Sequence, residues 1–372
     1  MQNIIENKLC NFIKKNNFKN ILLISGKKSF NTSGFKDLKI FKNYHHIITI
    51  FYKRKTIPEI NELKSLIKKI NTVNPDLIIA VGGGSSIDYS KLGNAAYNIE
   101  GLEKKIVNKR INFNSKKTKL LAIPTTAGSG AEVTKFSVIY INKIKYSVEN
   151  NLLKPDFYSL IPRLTISSSK KVRASSAFDA FAQAIESILS KSSNKKSLTY
   201  SMNSLNLLIK NISQFVNYPN YKNSYFMLKS ANYSGKAINI SKTNGPHSIS
   251  YPFTSLYNLM HGHAVSINFS SFINFIYYKA NYPKYNFYLN KKFKHIFKST
   301  KTGSISNFTK FVHYLIKDMN LINNLKYGKI KKNIKSILDL VDSSRLSNCP
   351  VDVTRKELKN IIFESFNKQH KS

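Results

Sequence analysis

The sequence predicts an α/β half followed by an all-α half. Over roughly the first 150 residues, short β-rich apolar runs alternate with segments whose apolar residues recur at helical spacing. Beyond about residue 162 the helical spacing continues and strand patterns almost vanish. Alternating strand–helix–strand units imply a parallel sheet covered by helices on both faces.

Each element follows from a local pattern. "NILLISG" (20–26), "HIITIFY" (46–52), "DLIIAVGGG" (76–84) and "KLLAIPTT" (119–126) read as buried strands ending in turn or polar residues. Between the second and third, "IPEINELKSLIKKINTV" (57–73) carries the apolar stripe of an amphipathic helix. "FSVIYINKIKYSV" (136–148) reads as an edge hairpin. Helices are then expected at 169–190, 224–240, 305–319 and 329–341. "TRKE" (354–357) is a capping box, with Thr354 as N-cap and Glu357 reaching back to open the last helix. The expected domains are 1–161 and 162–372, with a ligand cleft between them.

Composition narrows the setting. Apolar residues make up 42% of 372, enough for a large core and against global disorder. The start of the chain lacks the apolar stretch of a secretory signal, and no later run reaches the roughly 20 apolar residues that span a bilayer. Two cysteines make no disulfide framework, so a reducing cytoplasm is the expected location. The charge is +40, from 59 Lys+Arg against 19 Asp+Glu. Such an excess can mark nucleic-acid or membrane-surface binding. Here the lysines run from end to end beside abundant Asn, Ile, Tyr and Phe, all with A/T-rich codons. Mutational bias on a tolerant surface explains this more simply, so neither nucleic acid nor membrane is expected as a partner. The charge still favours anionic ligands.

Two loops suggest a phosphate-bearing ligand. "AVGGGSSID" (80–88) joins a strand to a helical pattern, so its glycines let backbone N–H groups at a helix start approach an anion. It is neither GxGxxG nor a P-loop, and a turn needing glycine for sterics alone would look the same. "IPTTAGSGAEVT" (123–134) follows the next strand with Thr125, Thr126 and Ser129 as hydroxyl donors. Loops at the carboxyl ends of neighbouring strands look like one cofactor site.

"HSISYPFTSLYNLMHGH" (247–263) holds three of the eight histidines. Metal ligands, a proton relay and core packing all fit that spacing. On the helix expected at 169–190, Asp179 and Gln183 stand four apart and share a face.

In order, GGGSxxD, IPTTAGSGAEVT, a helix bearing Asp179, and H-x13-H-G resemble the iron-dependent alcohol dehydrogenase family across nearly the whole chain. The resemblance implies an N-terminal Rossmann-like dinucleotide-binding domain, a C-terminal helical domain, and NAD(P)-dependent interconversion of alcohols with aldehydes or ketones. It assigns Gly83, Gly84, Ser85 and Asp88 to the pyrophosphate and ribose, Thr125, Thr126 and Ser129 to the nicotinamide side, and Lys145 to the ribose. The metal ligands it implies are Asp179, Gln183, His247 and His261, a set suited to Fe²⁺ or Zn²⁺. Gln183 departs from the histidine usual there. Tyr251 and His263 are the implied proton donors, with packing as the alternative for each. Where NAD-preferring relatives often carry aspartate, this chain has Gly26, followed by Lys27 and Lys28, which leans toward NADPH.

"GKAINISKTNGPHSISYPFTSLYNLMHGHAVSIN" (235–268), with "GKKSFNTSG" and "RLSNCPVDVTRKEL", is similar to the phosphonoacetaldehyde reductase branch. That branch implies reduction of phosphonoacetaldehyde to 2-hydroxyethylphosphonate in phosphonate biosynthesis. Lys242 and Arg173 are the cations nearest in sequence for such an anion. The resemblance leaves a homodimer open. A family reductase of another small aldehyde or ketone is the alternative, and a degenerate polyanion-binding member is a further one.

Overall fold

The computed structural model describes residues 2–142, 144–322 and 324–367. The chain forms two compact units. One runs to Ser168 and takes in Asn220–Leu228; the other holds Ser169–Pro219 and the chain from Lys229 onward.

The first unit is built on a parallel sheet of β1 (Ile21–Gly26), β2 (Ile48–Lys53), β3 (Leu77–Gly82), β4 (Lys119–Pro124) and the two-residue β7 (Phe157–Tyr158). Their spatial order is β2-β1-β3-β4-β7. The inner strands are apolar at consecutive positions because both faces are covered. Leu22, Ile24, Ile78, Ala80, Leu120 and Ala122 pack on one side with Leu63, Leu66 and Ile70 of the helix Ile60–Val73. Ile21, Leu23, Leu77, Ile79, Val81, Leu121 and Ile123 face the other, with Leu9 and Ile13 of the helix Gln2–Lys15. The hairpin is present as β5 (Phe136–Ile141) and β6 (Ile144–Glu149), paired antiparallel in a separate two-stranded sheet.

The second unit is helical. Its central helix, Lys170–Leu189, is buried along most of its length. Alanines at 174, 177, 180, 182 and 184 give it little bulk, so neighbours approach on several sides. Helices Lys195–Asn217 and His261–Lys279 pack on it. Phe178 and Phe181 meet Phe269 of the latter edge-on and tilted, at centroid distances of 5.4 and 5.6 Å. Gly262 lets the two helices touch backbone to backbone: a Cβ there would lie 1.8 Å from the Ser175 carbonyl oxygen. The last helix, Arg355–Asn367, opens on the expected capping box. Thr354 N–H donates to Glu357 (2.8 Å), and Glu357 N–H donates to the Thr354 hydroxyl (3.2 Å).

Candidate functional site

Three expected residues of the helical unit converge. Asp179 lies mid-way along Lys170–Leu189, His247 in the first turn of Gly245–Tyr257, and His261 at the start of His261–Lys279. One donor atom from each falls within 4.8 Å of the other two. His247 Nε2 is 3.1 Å and His261 Nε2 is 3.9 Å from Asp179 Oδ1. The two imidazoles lie 5.2 Å apart between centroids, inclined at 70°.

Glu186, absent from the sequence-based set, holds this arrangement. It is fully buried two turns beyond Asp179, and its carboxylate bonds His247 Nδ1, fixing which ring nitrogen turns to Asp179. The same carboxylate accepts the backbone N–H groups of Asn244 (3.0 Å) and His247 (3.2 Å), orphan donors of the new helix's first turn. Spacing carried a signal, since 179, 183 and 186 share one helix face. Burial opposes ionisation of His247, but the facing Glu186 and Asp179 outweigh it and hold the imidazole above its ordinary pKa. For Asp179, burial opposes the charge, while the His247 bond and the charge of His261 more than compensate and lower its pKa.

These residues suit a divalent ion. Asp179–histidine separations of 3.1 and 3.9 Å bracket the roughly 3.4 Å edge of a tetrahedron with ligands about 2.1 Å from its centre. A histidine whose other nitrogen is tied to a carboxylate is the usual support of a metal ligand. Gln183 stands beside the cluster. Its amide nitrogen donates to Asp179 Oδ1 (3.1 Å), and its oxygen accepts from Ser234 (3.1 Å). Because a hydroxyl can donate or accept, half a turn of the amide would present the oxygen to an ion while keeping Ser234 as partner.

Tyr251 adjoins the cluster, its ring centroid 6.2 Å from that of His261. Its hydroxyl is bonded by Arg345, whose guanidinium carbon is 6.0 Å from the ring. Burial pushes the phenol up to about 12 against the pull of Arg345. His263 points elsewhere. Its backbone N–H donates to Ser175, its ring bonds the Leu321 backbone, and burial lowers its pKa. Arg173 is likewise engaged, with Nε and Nη2 donating to the Val216 carbonyl. Lys242 ends the helix Tyr221–Ser241 in a left-handed conformation.

In the first unit the two polar loops touch. A Cβ on Gly83 would meet Thr126 Oγ1 at 3.3 Å, and one on Gly84 would meet Ser129 Oγ at 2.9 Å. Gly82 has φ of 151°, a conformation side chains avoid. Gly83 caps the helix Gly84–Ala95, so N–H groups at its start lie beside the Thr126 and Ser129 hydroxyls, while the Thr125 hydroxyl pairs with that of Ser29 (3.2 Å). This glycine cradle suits a pyrophosphate. Asp88 is held within the unit: it accepts from Val138 N–H (3.1 Å) and lies 3.8 Å from buried Lys91. Burial raises its pKa against the opposing charges of Lys91 and Lys145. Gly26 ends β1 opposite Lys53 of β2, whose Cε is 3.6 Å from where a Cβ would sit.

Family models account for nearly all of this sequence. The iron-containing alcohol dehydrogenase model matches residues 4–162, and the Fe-containing alcohol dehydrogenase C-terminal model matches 173–366. The chain belongs to the iron-containing alcohol dehydrogenase family.

Relatives within that family are distant. Aldehyde-alcohol dehydrogenase 2 of Entamoeba histolytica is 26% identical over 306 residues, covering 76% of this chain and 35% of that protein. The phosphonoacetaldehyde reductase of Streptomyces viridochromogenes is 25% identical over 224 residues, 58% of this chain and 57% of its own. The chain therefore spans about a third and somewhat over half of those two proteins. The 4-hydroxybutyrate dehydrogenase of Clostridium kluyveri is 26% identical over 289 residues, 76% of each. Sulfoacetaldehyde reductase from Bifidobacterium kashiwanohense, solved in complex with NAD+, superposes with a TM-score of 0.84 at 21% identity, over 95% of this chain and 93% of its own. At that identity the likeness establishes the iron-containing alcohol dehydrogenase fold alone. No helix among the described residues is long and apolar enough to cross a membrane.

Proposed function

We propose that the chain is a metal-assisted, nicotinamide-dependent reductase of a small aldehyde bearing an acidic group. Phosphonoacetaldehyde, reduced to 2-hydroxyethylphosphonate for phosphonate biosynthesis, is the substrate this reading assigns. The observation that carries the enzyme reading is the convergence of Asp179, His247 and His261 with Glu186 behind His247. The substrate reading is supported by the segment 235–268 and by relatives named for phosphonate-, sulfonate- and carboxylate-bearing molecules.

Asp179, His247 and His261 would hold the ion, iron by family, with Gln183 completing the set after its amide turns. The bound ion supplies Lewis acidity toward an aldehyde oxygen, and the bound dinucleotide is the hydride donor. Glu186 keeps His247 in one tautomer and orientation. Tyr251 offers a phenolic proton, held on the oxygen at neutral pH by burial, for the alcohol that forms. Gly83, Gly84, Ser85, Thr125, Thr126 and Ser129 would take the pyrophosphate and its surroundings. Glycine at position 26 in place of an acid, with Lys53 opposite it in β2, supports the NADPH reading.

The test is NADPH and NADH oxidation by Fe²⁺-loaded protein with phosphonoacetaldehyde, other acid-bearing aldehydes and propanal. The expected result is the highest kcat/KM with phosphonoacetaldehyde. Preference for an uncharged aldehyde defeats the substrate reading, and no turnover of any aldehyde defeats the enzyme reading.

A further inference from the structure

A doubly charged acid needs a cation within the helical unit's site, and Arg345 stands against Tyr251, which adjoins His261. Pro252 lies inside the helix Gly245–Tyr257 and lacks the N–H that would bond the Ser248 carbonyl. That carbonyl accepts instead from Asp342 N–H (3.4 Å), and the Ser248 hydroxyl donates back to the Asp342 carbonyl (2.6 Å). This reciprocal pair docks the segment 342–346 on the helix that carries His247 and Tyr251. Asp342 caps the turn through Ser344 and Arg345 N–H, which fixes where Arg345 departs.

Arg345 then reaches back to Tyr251, and its Nη1 donates to the Thr243 hydroxyl at 2.5 Å. Its side chain is only 14% exposed. The acids facing it are Asp342 and, more remotely, Glu186. The Asp342 pair is loose, Oδ2 lying 3.9 Å from Nε, with none of the two-point geometry of a strong arginine–carboxylate pair. Glu186 is engaged by His247 and two backbone N–H groups. A planar guanidinium seated among a tyrosine, a threonine hydroxyl and an acid 3.9 Å away is suited to a tetrahedral or planar oxyanion, which it can meet at two points.

We propose that Arg345 is the specificity residue of this site, recognising the acidic end of the substrate aldehyde, whether phosphonate, sulfonate or carboxylate. The inference rests on the reading of the chain as a reductase of acid-bearing aldehydes. Arg173 and Lys242 are not needed for it.

The experiment compares the parent with Arg345→Met and Arg345→Lys, each full-length, Fe²⁺-loaded and checked for metal content and melting temperature. Steady-state kinetics are measured with phosphonoacetaldehyde, sulfoacetaldehyde, succinic semialdehyde and propanal, together with the inhibition constant of ethylphosphonate. Arg345→Met should lose at least tenfold in kcat/KM for the acidic aldehyde the parent prefers. It should weaken ethylphosphonate inhibition similarly and cost propanal much less, since propanal registers only the loss of the Tyr251 contact. Arg345→Lys, which keeps charge without the two-point fork, should fall between and covers the case of a misfolded methionine variant. Equal losses on propanal would show that Arg345 merely positions Tyr251 and would overturn the proposal. So would retention of acid preference in both variants. A parent preferring sulfonate or carboxylate, with that preference erased by Arg345→Met, removes phosphonoacetaldehyde and leaves Arg345 standing. A parent preferring propanal removes both.

Discussion

Replacing Gly262 by alanine tests the backbone contact on which the approach of His261 to Asp179 depends. The new Cβ would start 1.8 Å from the Ser175 carbonyl oxygen, 2.8 Å from its carbon and 3.1 Å from Asp179 Cβ. Real Cβ contacts essentially never fall under 3.0 Å, so the helices must part by about 1.2 Å at this point. The obstruction is backbone, so no side-chain rotation relieves it. Gly262 adjoins His261, whose 3.9 Å separation from Asp179 would open to about 5 Å. Metal ligands tolerate roughly 0.2 Å of error. The expected outcome is a loss of metal affinity of at least 10–100-fold, the scale seen when ligand supports fail. Overpacking should also cost about 1–3 kcal/mol of stability. Both are read by chelator competition and by melting with and without Fe²⁺. The stabilisation conferred by metal should shrink in the variant, because it scales with RT ln(1 + [L]/Kd). Parent-like affinity and melting would refute the close packing of Gly262 on Ser175. Reduced melting with parent-like affinity would refute the role of His261 as a ligand.

Two further outcomes follow from other parts of the molecule. Gly84→Val, placing branched carbon where Ser129 Oγ is already 2.9 Å from a Cβ, should weaken NAD(P)H binding at least tenfold while leaving metal affinity at the parent value, measured by cofactor fluorescence and chelator competition. Lys292 is buried with its ammonium on the carbonyls of Leu189 (3.2 Å) and Ser190 (2.7 Å), and burial lowers its pKa to about 7 from 10.5. Between those values the unfolded chain holds a proton the folded one lacks, so the lysine's cost is full below pH 7 and fades as pH rises. The stability of Lys292→Met relative to the parent should therefore fall from pH 7 to 10, by at most about 1.4 kcal/mol per pH unit, and a pH-independent difference would contradict this.

The strands were legible because burial on both faces forces consecutive apolar residues. β1 to β4 lie within two residues of their expected starts and ends. β7 was not, since a two-residue strand has no period to read. The helix Lys195–Asn217 was missed for a different reason: serine fills positions where an apolar stripe would normally announce a core face. Ser197, Ser201 and Ser204 are buried, and Ser204 exchanges hydroxyl-to-carbonyl bonds of 2.9 and 3.0 Å with Ser230 of the neighbouring helix. Small hydroxyl side chains allow close helix approach, and those of Ser197 and Ser204 are satisfied by nearby carbonyls, which hydropathy spacing does not register.

In the candidate site, the same division separates groups placed by one helix from groups brought in by distant chain. Asp179 and Gln183 could be put on one face by counting, and Glu186 continues that face, yet a third polar residue in an alanine-rich helix has many meanings until its partner is known. Its partner is His247, sixty-one residues on, and only the close approach of two helices makes that acid a support for an imidazole. Arg345 lies further still from local pattern. What brings it to Tyr251 is a missing donor: Pro252 leaves the Ser248 carbonyl open to Asp342, ninety-four residues away. A proline in a helix reads in sequence as a break. In this fold the vacated hydrogen bond is the docking point for a charged segment, so the residue expected to set substrate choice is positioned by an absence in the helix that carries His247.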